Sequence, residues 1–506
     1  MADPLPEPLR HQLMTTKVLR PDRCVMPDGD RCSACTEDIA LEQQLKELKR
    51  LMEKIHIKRR ALRTVMNQNH DRLIHRFPPE IASRIFFHYS LITRFMETYA
   101  KTNTLFLGAV CQKWRQLAWA TPKVWTWIYI NDKVIYRWNS NAAKLLAEWL
   151  ERSAALPLTI RFVGPSNGDS AVYCVVTDLL NKHSARWYDI RLVIPACHFH
   201  RLGGSPQQNI LHKLAISPII SRNKELSMFR IECSPIELRL MDWSLKYVDI
   251  LWNNLTVVLL TSLVLDEFFE VLRRAPLLAT ITLLDIKPLS GNFGVPITRI
   301  SCPDVRSLEL RYIESEVVLG QLLNLICLPS LEQWSLRWCP FPLNAMILFI
   351  ESLSFRLKTF RILGDSDIPN RIHDLLRSLP SIEVLQLGFI VDDKPPTEIL
   401  FFELLCSPSE TSFLPHLQTL EFDHDLLVPL EFLPRIFTAP HRQSLQPEVD
   451  YHNILGIEDE TAARFLELVD EGFKLRVLRD GELADMIEEY RVNRHSQRKQ
   501  GSMAQE

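Results

Sequence analysis

Glycine is scarce in this chain: 15 of 506 residues, about 3% against a usual ~7%. Sites built on glycine-rich loops are therefore disfavoured. The sequence contains no Gly-x-Gly-x-x-Gly, no Gly-x-x-x-x-Gly-Lys-Ser/Thr, no Gly-x-Ser-x-Gly and no His-Glu-x-x-His, which argues against nucleotide-binding, hydrolase and zinc-protease chemistry. An excess of charge is also missing, because 59 Lys and Arg face 61 Asp and Glu for a net charge of -2. A chain this neutral lacks the basic field with which proteins grip nucleic acid or anionic membranes. Long apolar runs are absent too: the longest, Leu255 to Leu265, falls well short of the ~20 residues of a membrane-spanning helix. Nor does the start of the chain carry a basic segment followed by an apolar run. The expectation is an intracellular protein, cytoplasmic and/or nuclear, with no membrane or nucleic-acid partner. Its 11 cysteines, an odd number sitting mostly in apolar segments, read as reduced thiols.

Residues 1–38 are polar and Pro-rich and have no periodicity, which predicts a disordered arm. From Leu41 the pattern changes. Leu41, Leu45, Leu48, Met52, Ile55, Arg59, Leu62, Met66, Asn69 and Leu73 alternate by four and three residues, the seam of a coiled coil. The spacing predicts a helix over 39–72 that either pairs two copies of the chain through 39–73 or folds back on its own domain.

A helical module follows. Phe77-Pro78-Pro79-Glu80-Ile81 opens it with proline in a first turn, and Ile81, Ile85, His88 and Tyr89 then fall near one face, with Phe86 beside them. After a mixed stretch over 91–104, Leu107, Val110, Cys111, Trp114 and Ala118 form a second helical stripe, ended by Thr121-Pro122.

These blocks, Phe-Pro-Pro-Glu-Ile with a later Ile-Phe, then Val-Cys-x-x-Trp-Arg, then Ala-x-x-Thr-Pro-x-x-Trp, resemble the F-box in the form common in large fungal (basidiomycete-type) families. The likeness spans about residues 73–130, and Trp149-Leu150-Glu151-Arg152-Ser153 also looks like that group. Phe77 departs from it, since the family usually has Leu before the proline, and 91–104 is longer than in compact members. The resemblance implies a subunit that docks on the adaptor of a cullin-RING (SCF-type) ubiquitin ligase and selects substrates with the rest of its chain, catalysis being left to partner subunits. Residue by residue it makes Pro78, Glu80, Ile81, Ile85, Val110 and Trp114 adaptor-facing candidates, although apolar residues of so small a module also serve its own core.

The second half repeats. Apolar residues recur at three fixed offsets in Leu226/Phe229/Ile231, Leu255/Val258/Leu260, Leu278/Ile281/Leu283, Val305/Leu308/Leu310, Leu331/Trp334/Leu336, Leu357/Phe360/Ile362, Ile382/Leu385/Leu387 and Leu417/Leu420/Phe422. Five of the seven spacings lie between 23 and 27 residues, the period of leucine-rich repeats. Helical stripes such as Leu265, Phe268, Phe269 and Leu272, followed by Ala275-Pro276, separate the copies. A single unit cannot bury both its strand and its helix face, so the units must stack. Trp187, Ile190 and Leu192 share the offsets, and Leu158, Ile160 and Phe162 alternate as a strand would.

The fold class expected is thus α/β: an N-terminal heptad helix, a small all-helical F-box-like module (73–130), and a curved leucine-rich-repeat-like solenoid over 131–490, with a polar tail at 491–506. Side chains between the anchors point to the open face of the sheet. They are Glu309, Arg311, Ser335, Arg337, Arg361, Gln386, Glu421 and Asp423, the charged ones being substrate-binding candidates, although exposed strand residues are ordinarily polar. Cys32-x-x-Cys35, with Cys24 eight residues before it, has the spacing of half a zinc site. No second Cys/His pair lies near and His56 is the nearest histidine, so free thiols are expected, with no metal and no cofactor. His198-Phe199-His200 reads as a loop. The competing functional expectation is a ligase-independent interaction scaffold dimerising through the heptad helix.

Overall fold

The computed structural model describes Cys24 and residues 30–70, 77–95, 104–167, 170–203, 210–220, 227–353, 356–364, 371–389, 399–407, 413–422, 435–436, 446–451, 459–472, 476–479 and 487–493. It is mixed α/β and divides into two compact units at Val124/Trp125, ahead of the boundary at 130 read from the sequence. Among the described residues no helix is long and apolar enough to cross a membrane.

The first unit is helical. Helix α1 (Ser33–His70) begins inside the segment expected to be a disordered arm, because Cys32 O accepts from the backbone N–H of Thr36 at 3.1 Å and from its hydroxyl at 3.2 Å, fixing the first turn early. At 1.5 Å per residue it is roughly 57 Å long. Helix α2 (Pro79–Phe95) follows. Pro79 is its first residue, where a missing N–H costs nothing, and Pro78 O accepts from the backbone N–H groups of Ile81 and Ala82 at 3.0 and 3.2 Å. This helix extends into the stretch read as a link, whose residues 96–103 lie outside the described ones.

The stripe read as one helix over 105–118 is two: α3 (Leu105–Val110) and α4 (Gln112–Trp119), broken at Cys111, which is extended at φ -156°. Cys111 caps α4, its Sγ accepting from the backbone N–H of Trp114 at 3.4 Å. One non-helical residue resets the helical phase. Leu107, Cys111 and Ala118 still reach the interior, but Val110 turns outward at 46% exposure.

The second unit is one parallel sheet of fourteen strands among the described residues. The strands are β1 (Trp127–Ile130), β2 (Leu158–Val163), β3 (Trp187–Pro195), β4 (Lys213–Ile219), β5 (Glu237–Met241), β6 (Val257–Thr261) and β7 (Thr280–Leu284). They continue with β8 (Ser307–Arg311), β9 (Gln333–Arg337), β10 (Thr359–Gly364), β11 (Val384–Phe389), β12 (Thr419–Phe422), β13 (Gln446–Tyr451) and β14 (Arg476–Arg479). Each strand pairs only with the one before and the one after it. Such parallel neighbours need a crossover, and helices supply many of them: α5 (Asp132–Tyr136), α6 (Ser140–Arg152), α7 (Ser170–Asn181), α8 (Leu265–Arg274), α9 (Glu316–Leu325), α10 (Leu343–Glu351), α11 (Ile372–Arg377), α12 (Ile399–Cys406) and α13 (Asp459–Asp470). Residues 487–493, at the edge of the expected tail, are helical.

The three-offset template corresponds to strand register. Leu308, Trp334, Phe360, Leu385 and Leu420 are successive cross-strand partners, and so are Leu310, Leu336, Ile362, Leu387 and Phe422. The first copy is misplaced, however. Phe229–Arg230 pairs with Val248–Asp249 in a separate two-stranded ladder, and the sheet strand of that repeat is β5, with Leu238 and Leu240 as its buried anchors. Pro235 holds the first offset there, which hid the repeat. The array also extends further back than the template was taken: Leu211/Leu214/Ile216 and Trp125/Ile128/Ile130 have the same offsets and are buried. Each fully buried anchor contributes about 1.5–3 kcal/mol relative to exposure, and only stacking against neighbours makes that burial available.

The glycine shortage has a structural counterpart. Immediately after β5 to β9 stand Asp242, Ser262, Asp285, Tyr312 and Trp338, all left-handed with φ between 51° and 56°. A non-glycine residue there costs roughly 1–2 kcal/mol. Each backbone N–H donates to the carbonyl at the end of the next strand (Thr261, Leu284, Arg311, Arg337 and Leu363, at 2.6 to 3.1 Å), so the ladder gains one rung per repeat to offset the strain. Where glycine is used, the reason can be local: a Cβ at Gly164 would overlap Tyr173 Oη, which donates to Pro165 O at 2.6 Å.

Two buried acids on α8 hold the array's loops. Asp266 accepts from the backbone N–H groups of Ser290 and Phe293, both at 2.9 Å, and from the Ser290 hydroxyl. Burial pushes its carboxyl up, but these donors hold it below the ordinary carboxylate value. Neighbouring Glu267 accepts from the Ser244 hydroxyl, and burial leaves its carboxyl raised.

Candidate functional site

In the helical unit, α2 carries apolar residues on two neighbouring sides, about 100° apart around the helix. Ala82, Phe86 and Ser90 are buried, and Phe86 packs on Trp114 of α4 with ring centroids 4.8 Å apart. Thr121 Oγ1 donates to Leu117 O at 2.7 Å and lies 3.0 Å from Ser83 Oγ, tying α2 to the end of α4. The inner side of α2 is thereby satisfied. Its outer side presents Ile81 and Ile85, one turn apart and 43% and 40% exposed, with Pro78 and Glu80 exposed just before them. Phe106 and Val110 form a similar exposed row on α3. Five of the six adaptor-facing candidates therefore lie at the surface. The sixth, Trp114, is half-buried against Phe86.

On α1, Leu41, Leu45, Leu48, Met52, Ile55, Leu62 and Met66 are all about half exposed, between 49% and 58%. In this single chain the seam stands open, unlike a helix folded back on its own domain.

In the sheet unit the anchors point toward the helices, Trp334 packing against Phe349 of α10 at 5.2 Å. The intervening residues occupy the opposite face. Glu309, Ser335, Arg361, Gln386 and Glu421 form one cross-strand row, with Arg311 and Arg337 paired in the next. Four of the six substrate candidates (Glu309, Arg311, Arg337, Arg361) thus come together on β8, β9 and β10. Glu421 lies two strands further on, and Asp423 is outside the described residues.

The electrostatics of this patch are lopsided. Glu309 Oε1 receives Arg311 Nη2 at 2.7 Å and lies 3.2 Å from Arg337 Nε. One carboxylate therefore serves two guanidinium groups that face each other across strands, and Arg361 adds a third. The Nε atoms of all three arginines and Ser335 Oγ are buried and make no hydrogen bond among the described residues; Arg337 Nε meets Glu309 as an ion pair without hydrogen-bond alignment. Buried donors left in this state are costly. Among the earlier strands, Arg161 holds Asp189 one to one through two bonds of 2.7 and 2.9 Å, whereas Glu237, like Glu309, receives two cations, Lys213 and Arg239, both at 2.7 Å. Burial pushes the Glu237 carboxyl up, but those two cations bring it below its ordinary value.

Beside the arginines, Tyr312 and Trp338 stack with centroids 4.7 Å apart and planes 12° from parallel. Both occupy the left-handed positions that end β8 and β9. Sequence reasoning did not find this aromatic ledge. Its available signal was position, two residues after the second strand anchor (Leu310, Leu336) in consecutive repeats.

Two further expectations are settled by geometry. Ala196–Arg201 is a 3-10 turn rather than an open loop, and its His198 is buried, stacked on Tyr173 at 4.7 Å. Cys24, Cys32 and Cys35 are not scattered in an arm: their three sulfurs all lie within 4.8 Å of one another. Hydrogen bonds from Cys35, its backbone N–H first, hold the Cys32 thiol below its ordinary value, and side-chain hydrogen bonds with Cys32 and then Cys24 push the Cys35 thiol up to about 12.

No family model and no curated protein matches the chain. Among solved structures, a structural-genomics crystal structure of a Bacteroides fragilis protein is similar at 15% identity and a TM-score of 0.27, covering 62% of this chain and 72% of that one. Likeness at that level carries no functional argument.

Proposed function

We propose that this chain is the substrate-recognition subunit of a cullin-RING (SCF-type) ubiquitin ligase. Its helical unit, read as an F-box, docks on the adaptor subunit. Its repeat array, read as the leucine-rich type, selects a protein substrate on the sheet face opposite the helices. The chain performs no catalysis itself, and such a role belongs to the cytoplasm or nucleus. The observation that carries the reading is the outward row of Ile81 and Ile85 on a helix whose inner side is already occupied by Ala82, Phe86 and Ser90. Isoleucines that the fold does not need for its own core are suited to a partner's apolar surface. The test is adaptor capture by wild type and by Ile81→Asp.

The chemistry of the β8–β10 patch further restricts the substrate. Three guanidinium groups gathered on one face match carboxylate or phosphate oxygens, and the Tyr312/Trp338 ledge offers an aromatic surface beside them. A substrate segment bearing anionic groups fits this face better than a basic one.

The exposed α1 seam favours a second, competing reading, a ligase-independent scaffold that dimerises through 39–73, although dimerisation itself fits either role. Sedimentation equilibrium on the full chain checks it. A dimer is expected that becomes monomeric when Leu45 and Leu48 are changed to Asp, and a wild-type chain that is monomeric at micromolar concentration contradicts it.

A further inference from the structure

We propose that Cys24, Cys32 and Cys35 together bind one zinc ion through their three sulfurs. Cys24 stands eight residues before Cys32, a separation of up to about 26 Å in extended chain. Its sulfur nevertheless meets the other two within 4.8 Å. Cys32 and Cys35 are brought together locally. Cys32 directly precedes α1 and Cys35 lies in its first turn, and the bonds from Thr36 to Cys32 O lock that turn, so positions three apart share one side of the helix.

Tetrahedral zinc with Zn–S bonds of about 2.3 Å places its sulfurs about 3.8 Å apart, a distance these side chains reach by small rotations. All three cysteines are free thiols, and pairing any two in a disulfide would leave the third over. An all-sulfur set with no carboxylate in it selects a soft or borderline ion and rejects magnesium and calcium. Three protein ligands leave the fourth zinc position to a ligand from outside the trio. Bound there, the metal joins Cys24 to the start of α1 by coordination. Binding releases thiol protons, and affinity falls as pH is lowered.

The experiment uses the full chain, expressed with zinc and purified under reducing conditions. Elemental analysis is expected to give one zinc per chain. The Cys24→Ser/Cys32→Ser/Cys35→Ser variant is expected to give none, with its helical circular dichroism retained because the repeat array and the other helices do not depend on the site. Replacing zinc by cobalt should add a sulfur-to-cobalt charge-transfer band, absent from the variant, which reads the ligands directly. Metal-free wild type, an unchanged zinc content in the triple variant, or a Cys32–Cys35 disulfide in chain kept in reducing buffer would each overturn the proposal.

Discussion

Ile81→Asp is expected to remove adaptor binding while leaving the fold in place. Interface anchors of this size cost 2–4 kcal/mol when their apolar contact is lost, which weakens capture roughly 30- to 700-fold. Ile81 is 43% exposed, and exposed positions ordinarily change stability by no more than about 0.5 kcal/mol. The substitution also puts a carboxylate in the first turn of α2, whose residues begin at Pro79, where the helix dipole favours negative charge. Ile85→Asp lies one turn further along the same side and is expected to act likewise. Pull-down of purified adaptor by tagged chain measures the loss, and thermal melting of each variant separates it from unfolding. Undiminished capture by both variants would remove the helical unit from the proposed interface.

The second large effect concerns the array. Trp334→Ala is expected to destabilise the sheet unit by about 3–5 kcal/mol. Trp334 is fully buried, with its ring 5.2 Å from both Phe349 and Phe360, so truncation opens a cavity between β9, β10 and α10. Trp334→Phe is expected to cost much less. It keeps most of the ring volume, and the indole N–H that it removes has no hydrogen-bond partner among the described residues, so no bond is lost. Urea denaturation followed by circular dichroism checks both. Equal losses for the two variants would mean that packing around this ring is not what holds these repeats together.

The parts of this structure that were legible in advance are those where one residue type does one job at a fixed spacing. Anchors such as Leu308 and Leu310 sit two apart because alternate strand residues share a face, and they recur at a steady period because each repeat adds one strand. Where a repeat breaks that economy the reading slips. Pro235 stands where Leu was sought, and Phe229 and Ile231 mimic an anchor pair although Phe229–Arg230 belongs to the side ladder with Val248–Asp249. In the helical unit the spacing of Leu107, Val110 and Cys111 fits one continuous helix, and nothing in it announces that a thiol would cap a new one. The candidate surface was half legible. Glu309, Arg311, Arg337 and Arg361 follow from strand alternation alone. The Tyr312/Trp338 ledge depends on left-handed backbone at bulky residues, which local preference argues against, and the convergence of Cys24 on Cys32 and Cys35 depends on a chain path that spacing does not encode.

The central claim is that one surface holds the ligase and another holds the substrate, and a two-variant exchange measures it directly. Tagged wild type, Ile81→Asp, and the Arg311→Gln/Arg337→Gln/Arg361→Gln variant are each captured from cells, and adaptor and co-purifying proteins are quantified. Ile81→Asp is expected to lose adaptor and accumulate substrates that wild type passes on for degradation. The triple arginine variant is expected to keep adaptor at the wild-type level and lose those same substrates about 100-fold or more, since a charge-assisted hydrogen bond contributes about 1.5–3 kcal/mol and 2.7 kcal/mol is a hundredfold. Loss of adaptor in both variants, or in neither, would contradict the account.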